Sequence, residues 1–216
     1  MKFFKRINSY LKNVSFIHWP AFIFKNLTYR LKGKKITSDH ATLILGLHNI
    51  QTEGHLSIGQ AGSLSHPDEK TFLDIRGTLI VKDSSYLGKG SRVQIAKGGK
   101  CTFDGGHFSG LATIVIKHSL TVGKGSVIAW NTEFLDWNSH KIVYEGREEK
   151  ARGIAIGEHV WIGSGAKILQ GVTIGNGCMV AANSVVTKSF PDNVLIGGNP
   201  AKILKENVRW ENYECE

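Results

Sequence analysis

No stretch of this chain approaches the ~20 consecutive apolar residues that a membrane-spanning helix needs. A secretory leader is also absent from the expected place: the apolar run from Val14 to Phe24 carries His18 and Pro20 and lacks a small-residue cleavage site. Cytoplasmic residence is the resulting expectation. Cysteine is sparse, and the three present (Cys101, Cys178, Cys215) are odd in number and widely spaced, which excludes a disulfide framework and a zinc site and leaves free thiols. Proline is scarce at 4 residues whereas glycine reaches 25, a balance that excludes collagen-like and Pro-rich disordered chains and suits tight corners between short strands. With 216 residues there is room for one well-cored domain plus a terminal segment.

Acidic residues are missing altogether from positions 1–38, which hold nine Lys and Arg. Subtracting those nine from the chain's 27 leaves 18 basic residues against 18 acidic ones, so the net charge of +9 belongs to the N-terminal segment. That confinement, with no nucleic-acid motif, speaks against DNA or RNA as a partner. The cations of residues 1–36 interleave with Phe3, Phe4, Ile7, Tyr10, Leu11, Phe16, Ile17, Trp19, Phe22, Ile23, Phe24 and Leu27. Two readings stand: an interfacial amphipathic helix pair, broken near Pro20, on an anionic membrane surface, or a helix packed on the main domain.

What is present in abundance is a period of six. Ile156, Ile162, Ile168, Ile174, Val180 and Val186 recur at that spacing, followed in most hexads by Gly157, Gly163, Gly175 or Ala181. The fifth positions are Val160, Ala166, Val172, Cys178 and Ser184, and an earlier run reads Ile116, Val122, Ile128, Phe134. Weaker echoes stand at Ile58-Gly59 and at Leu87-Gly88 with Val93. Helical faces repeat at spacings of three and four, so six excludes an α-helix and fits short strands with a corner after each. Three strands per turn close a triangular prism whose interior takes the hexad residue. The small residue that follows avoids crowding at the corner.

The hexads, followed by Ile196-Gly197-Gly198-Asn199-Pro200-Ala201-Lys202, resemble the hexapeptide-repeat acyltransferases, specifically their sugar O-acetyltransferase branch. The resemblance is specific over about residues 112–206, roughly half the chain, and loose over 41–111. It implies an all-β, left-handed parallel β-helix, a homotrimer, and acetyl-CoA as acyl donor. The expected organisation is a basic, helical N-terminal segment at 1–40, the β-helix at 41–206 with a loop at 140–154, and a C-terminal tail or short helix at 207–216.

The hexads stop after Phe134 and resume at Ile156, with Leu135-Asp136-Trp137-Asn138-Ser139-His140 opening the interruption. Continued by six, the apolar phase lands on His140, so an imidazole is expected in place of a core residue where coil gives way to loop. Acetyl transfer to a hydroxyl requires a base for its proton, and histidine is suited to that task. The Asp136-x-x-x-His140 spacing resembles the segment that bears the family's catalytic histidine, with Asp136 able to hold the ring. A backbone carbonyl could serve equally.

The resemblance further implies donor contacts: Ser164 in Trp161-Ile162-Gly163-Ser164, then Ala182, Thr187 and Lys188 along the pantetheine arm, and Lys202 and Lys205 at the nucleotide phosphates. Lysine suits phosphate as a point charge, although each alone could be a solvated surface group. On the acceptor side Trp130, Trp137 and Tyr144 offer faces for a sugar ring, or ordinary packing. The loop Lys141–Gly153 is rich in both charges. No metal is expected: γ-class carbonic anhydrases share the fold but pair histidines five apart, and here Leu135 and Glu145 occupy those places around His140. N-acetylation of an amino sugar and a non-catalytic scaffold remain as alternative functions.

Overall fold

The structure is a computed structural model that describes residues 18–60, 65–66, 69–137, 140, 145 and 153–211. Its first described element is a helix, α1 (Trp19–Leu31), and the described residues after it form strands and corners with one 3-10 turn at Leu47–Asn49. The first coil holds β1 (Ile36–Ser38), β2 (Leu43–Leu45) and β3 (Ile50–Thr52). The second and third hold β4 (Leu56–Gln60), β5 (Phe72–Ile75), β6 (Thr78–Asp83), β7 (Ser85–Gly88), β8 (Arg92–Ile95) and β9 (Lys100–Asp104). The fourth and fifth hold β10 (His107–Phe108), β11 (Thr113–Ile116), β12 (Ser119–Val122), β13 (Val127–Ile128), β14 (Glu133–Leu135) and β15 (Ile154–Ile156). The last coils hold β16 (Trp161–Ile162), β17 (Lys167–Leu169), β18 (Thr173–Ile174), β19 (Met179–Val180), β20 (Val185–Val186) and β21 (Leu195–Gly198), and β22 (Ala201–Lys205) closes the series.

Every third strand joins the same sheet. The first sheet runs β1-β4-β7-β10-β13-β16-β19-β21-β22, the second β2-β5-β8-β11-β14-β17-β20, the third β3-β6-β9-β12-β15-β18. All pairings are parallel except β21 with β22, which turns back antiparallel. This is a β-helix of triangular section. Its interior is the hexad series: Ile156, Ile162, Ile168, Ile174, Val180 and Val186 are each at most 3% exposed, and the fifth-position residues Val160, Ala166, Val172, Cys178 and Ser184 are fully buried. Phe103, Phe108 and Phe134 stack through successive coils, with ring centroids 5.0 and 6.0 Å apart. Cys101 and Cys178 are buried free thiols, and burial pushes both upward in pKa.

Gly163 shows why the residue after most hexad apolars is small. A Cβ there would stand 2.7 Å from the Ala182 amide nitrogen and 2.8 Å from the Val180 carbonyl oxygen, both on the next coil. The backbone of one coil occupies the space a side chain would need.

One boundary differs from the sequence expectation. Coiling starts at Ile36, inside the stretch assigned to the N-terminal segment, because the early strands carry too few regular hexads to show their phase. Pro20 sits in the first turn of α1, where its missing N–H costs nothing; the segment before residue 18, and with it the first helix of the expected pair, lies outside the described residues. The described part of the tail, 207–211, is irregular, and Trp210 folds back on His159 with parallel rings 4.1 Å apart. Trp210 Nε1–H donates to the His159 carbonyl at 2.8 Å.

Helix α1 covers the exposed edge of the first coil. Phe22, Asn26 and Tyr29 are buried against it. Asn26 Nδ2 donates to the Ser38 carbonyl at 2.9 Å while its Oδ1 accepts the Ser38 amide at 2.8 Å, so the side chain takes the place of a neighbouring strand and closes the sheet edge. Lys25 Nζ donates to the carbonyls of His40 and Thr42 at 2.8 and 2.6 Å.

Candidate active site

The longest connection between described strands joins β14 to β15, at the corner between the second and third sheets. Its root is tied down from both ends. Asp136 is fully buried, and its carboxylate accepts three backbone amides from the coil below: Lys117 N–H on Oδ1 at 2.6 Å, and His118 and Ser119 N–H on Oδ2 at 2.8 and 2.7 Å. At the other end Gly153 lies so close to Ser119 that a Cβ would meet Ser119 Oγ at 2.0 Å. A single turn, Lys117–Ser119, therefore holds both feet of the loop.

This gives Asp136 a role the sequence did not indicate. Three of the roughly four lone-pair positions of its carboxylate are committed to backbone donors, which leaves about one for an imidazole. His140 is exposed. It is not a core position turned polar: the chain leaves the hexad phase at Asp136, and the interior is refilled by Ile154 and Ile156 after the loop. Trp137 is half-exposed, with Lys117 Nζ 5.1 Å from its ring centroid. Tyr144 and most of the charged loop lie outside the described residues.

The expected donor residues divide between two corners, one of which also holds Trp130, expected on the acceptor side. Trp130, Ser164 and Ala182 occupy the same corner, between the first and second sheets, on three successive coils. The Gly165 amide donates to the Trp130 carbonyl at 2.9 Å, and the Asn183 amide to the Ser164 carbonyl at 2.9 Å. One coil further, Ala181 N–H meets the Ile196 carbonyl at 2.8 Å, and Lys202 pairs in register with Gly197. At about 4.8 Å per strand, the column from Trp130 to Lys202 spans four strand spacings and is roughly 19 Å long. Lys202 is exposed, as is Lys205 at the far end of β22. Thr187 and Lys188 lie instead at the corner that bears Asp136 and Trp137; Lys188 Nζ stands 5.6 Å from the Phe190 ring centroid. The two corners of one chain are separated by the width of the second sheet.

Two features were not drawn from the sequence. Trp161 is 45% exposed on the outer face of the first sheet, three residues before Ser164 on the same coil and 6.2 Å from the Trp210 ring. Trp130 buries its Nε1–H with no hydrogen-bond partner among the described residues, an orphaned donor beside the column. The signal for Trp161 was present in the quoted Trp161–Ser164 segment, since one residue before a hexad apolar must face outward. Among the described residues no group of three His, Cys, Asp or Glu is placed to hold a metal ion.

Comparison with known proteins places the chain among close company. The model of the bacterial transferase hexapeptide (six repeats) matches residues 153–188. Galactoside O-acetyltransferase of Escherichia coli strain K12 is 32% identical over 200 residues, spanning 87% of this chain and 93% of that protein. An uncharacterized 24.8 kDa protein in the cps region of Klebsiella pneumoniae is 30% identical over 196 residues, 88% of each. Among solved structures, the polysialic acid O-acetyltransferase OatWY has a TM-score of 0.58 at 23% identity, covering 83% of this chain and 88% of that one. The polySia-specific acetyltransferase NeuO has a TM-score of 0.53 at 23% identity, covering 83% and 80%. At that identity the likeness to both establishes the fold.

Proposed function

The chain belongs to the hexapeptide-repeat acyltransferase family, built on a left-handed β-helix, and from that premise we propose that it moves an acetyl group from acetyl-CoA to a hydroxyl of a sugar or surface-glycan precursor. His140 acts as general base. The observation that carries the reading is the placement of His140: an exposed imidazole on the long loop between β14 and β15, whose two feet are anchored on one turn of the rigid solenoid. The full-length relative named a galactoside O-acetyltransferase favours a sugar as acceptor and a hydroxyl as its reactive group.

In the reaction, neutral His140 takes the hydroxyl proton as the acceptor oxygen bonds to the thioester carbonyl carbon. The carbon–sulfur bond then breaks, and the departing thiolate takes the proton back from the imidazolium. The free thiol of coenzyme A and the acetyl ester are the products. Dependence on acetyl-CoA places the work in the cytoplasm. Ser164, Ala182 and Lys202 at one corner, and Thr187 and Lys188 at the other, meet a single donor when copies pack so that unlike corners face each other. A homotrimer with sites between subunits satisfies that requirement.

His140→Ala should lower turnover by ~10²–10⁴, the usual contribution of a general base, with acetyl-CoA binding retained. An assay with acetyl-CoA over a panel of sugars, nucleotide sugars and amino sugars separates O- from N-acetylation and names the acceptor. A trimeric His140→Ala protein that acetylates at the parental rate would refute the assignment.

A further inference from the structure

Helix α1 is apolar on two opposite sides. Phe22, Asn26 and Tyr29 face the first coil and are buried. At 100° per residue, the side directly opposite is formed by Pro20, Phe24, Leu27 and Leu31, flanked by Ile23. These are not covered by the solenoid: Phe24 is 74% and Leu31 79% exposed, with Ile23 and Leu27 near half. Trp19, Pro20, Ile23, Phe24 and Leu27 line a shallow groove there. A surface helix of a water-soluble domain carries polar residues on that side. Of the polar groups of α1, Asn26 is turned inward to close a sheet edge and Lys25 to bind first-coil carbonyls, while Arg30 stays exposed.

We propose that this outer face of α1 docks on an anionic lipid bilayer. The charge selects that occupant. Residues 1–38 carry nine Lys and Arg and no acid, so a second copy of this end, or the segment 1–17 with its Lys2, Lys5, Arg6 and Lys12, would bring like charge against like. An anionic headgroup layer complements the cations while its acyl boundary takes up the Trp, Phe and Leu side chains. A polyanion such as nucleic acid matches the charge but offers nothing to five apolar side chains. The docking does not depend on the acetyl-transfer reading. It would set the solenoid with its first coil toward the bilayer, and the fifth coil, with the root of the His140 loop, roughly 20 Å beyond the first coil.

Co-sedimentation of the full chain with lipid vesicles tests this. Binding should appear with vesicles containing phosphatidylglycerol, be absent with phosphatidylcholine alone, and weaken as salt rises. The double variant F24E/L31E changes only exposed side chains and should bind about tenfold more weakly or worse. No binding to the anionic vesicles at low salt would overturn the proposal. So would unchanged binding of F24E/L31E, which would put the contact elsewhere, or a change in subunit number for that variant, which would make the face an interface between copies. Leu31→Cys carrying an environment-sensitive fluorophore gives a check that survives any misfolding of the double variant: its emission should shift to the blue on anionic vesicles, and an unshifted spectrum refutes the docking.

Discussion

Replacing Asp136 separates two roles that its position allows. If the carboxylate chiefly anchors the loop, Asp136→Ala leaves the amides of Lys117, His118 and Ser119 without their acceptor. A hydrogen bond to a charged group is worth about 1.5–3 kcal/mol net. Three bonds to one carboxylate are not additive, and water can enter beside an exposed Lys117, so a loss of about 3–5 kcal/mol is expected rather than the full sum. Asp136→Asn should cost about 2–3 kcal/mol: its oxygen can keep one or two of the amides, while its NH₂ faces donors. The assay is urea denaturation at fixed subunit concentration, since assembly adds to apparent stability, with turnover measured on the same preparations. An orienting role for His140 alone makes a different forecast, in which Asp136→Asn keeps its stability and loses turnover. An Asn variant within ~0.5 kcal/mol of the parent would refute the anchoring argument.

Two other outcomes follow from named contacts. Lys202→Ala with Lys205→Ala should weaken acetyl-CoA binding by ~1–3 kcal/mol without unfolding, because both side chains are exposed; calorimetry showing unchanged affinity would remove them from the phosphate site. His40 is held below its ordinary value by burial first and by the nearby His18 second, against the pull of Asp39. The folded chain thus resists protonating it, so its contribution to stability is present above the unfolded value of ~6.5 and is lost as pH falls through the folded one. His40→Gln should flatten the decline in denaturation midpoint between neutral pH and about 5, and an unaltered decline would locate the acid sensitivity elsewhere.

The hexads told the architecture because the solenoid repeats one local rule: an inward apolar residue, then a residue whose Cβ would strike the next coil. Ile162 and Gly163 obey it so closely that neither packing nor topology needed further information. The first coil was not legible, since β1 to β3 are closed partly by α1 and by the Asn26 amide instead of by another hexad coil. Long-range substitution for a strand leaves no periodic trace. Asp136 was legible as a residue of interest through its spacing to His140, while its three amide partners lie 17–19 positions away and belong to the coil below.

The division of the donor residues between two corners was partly open to counting. An uninterrupted coil here advances by 18 positions: Ile162 pairs with Val180 and Ile168 with Val186. Ser164 and Ala182 differ by that same interval and must share a corner, whereas Thr187 follows Ala182 by five and must lie past the next strand. Counting fails at two places. The loop between β14 and β15 breaks the interval before Ser164, so Trp130 cannot be assigned to the column without the hydrogen bond from Gly165. The antiparallel return of β22 reverses the chain after Gly198, so Lys202 comes to the column by register with Gly197. A donor that touches residues at both corners therefore demands a second copy, and a stable monomer that binds acetyl-CoA with parental affinity, with Thr187→Ala and Lys188→Ala still weakening it, would break that requirement.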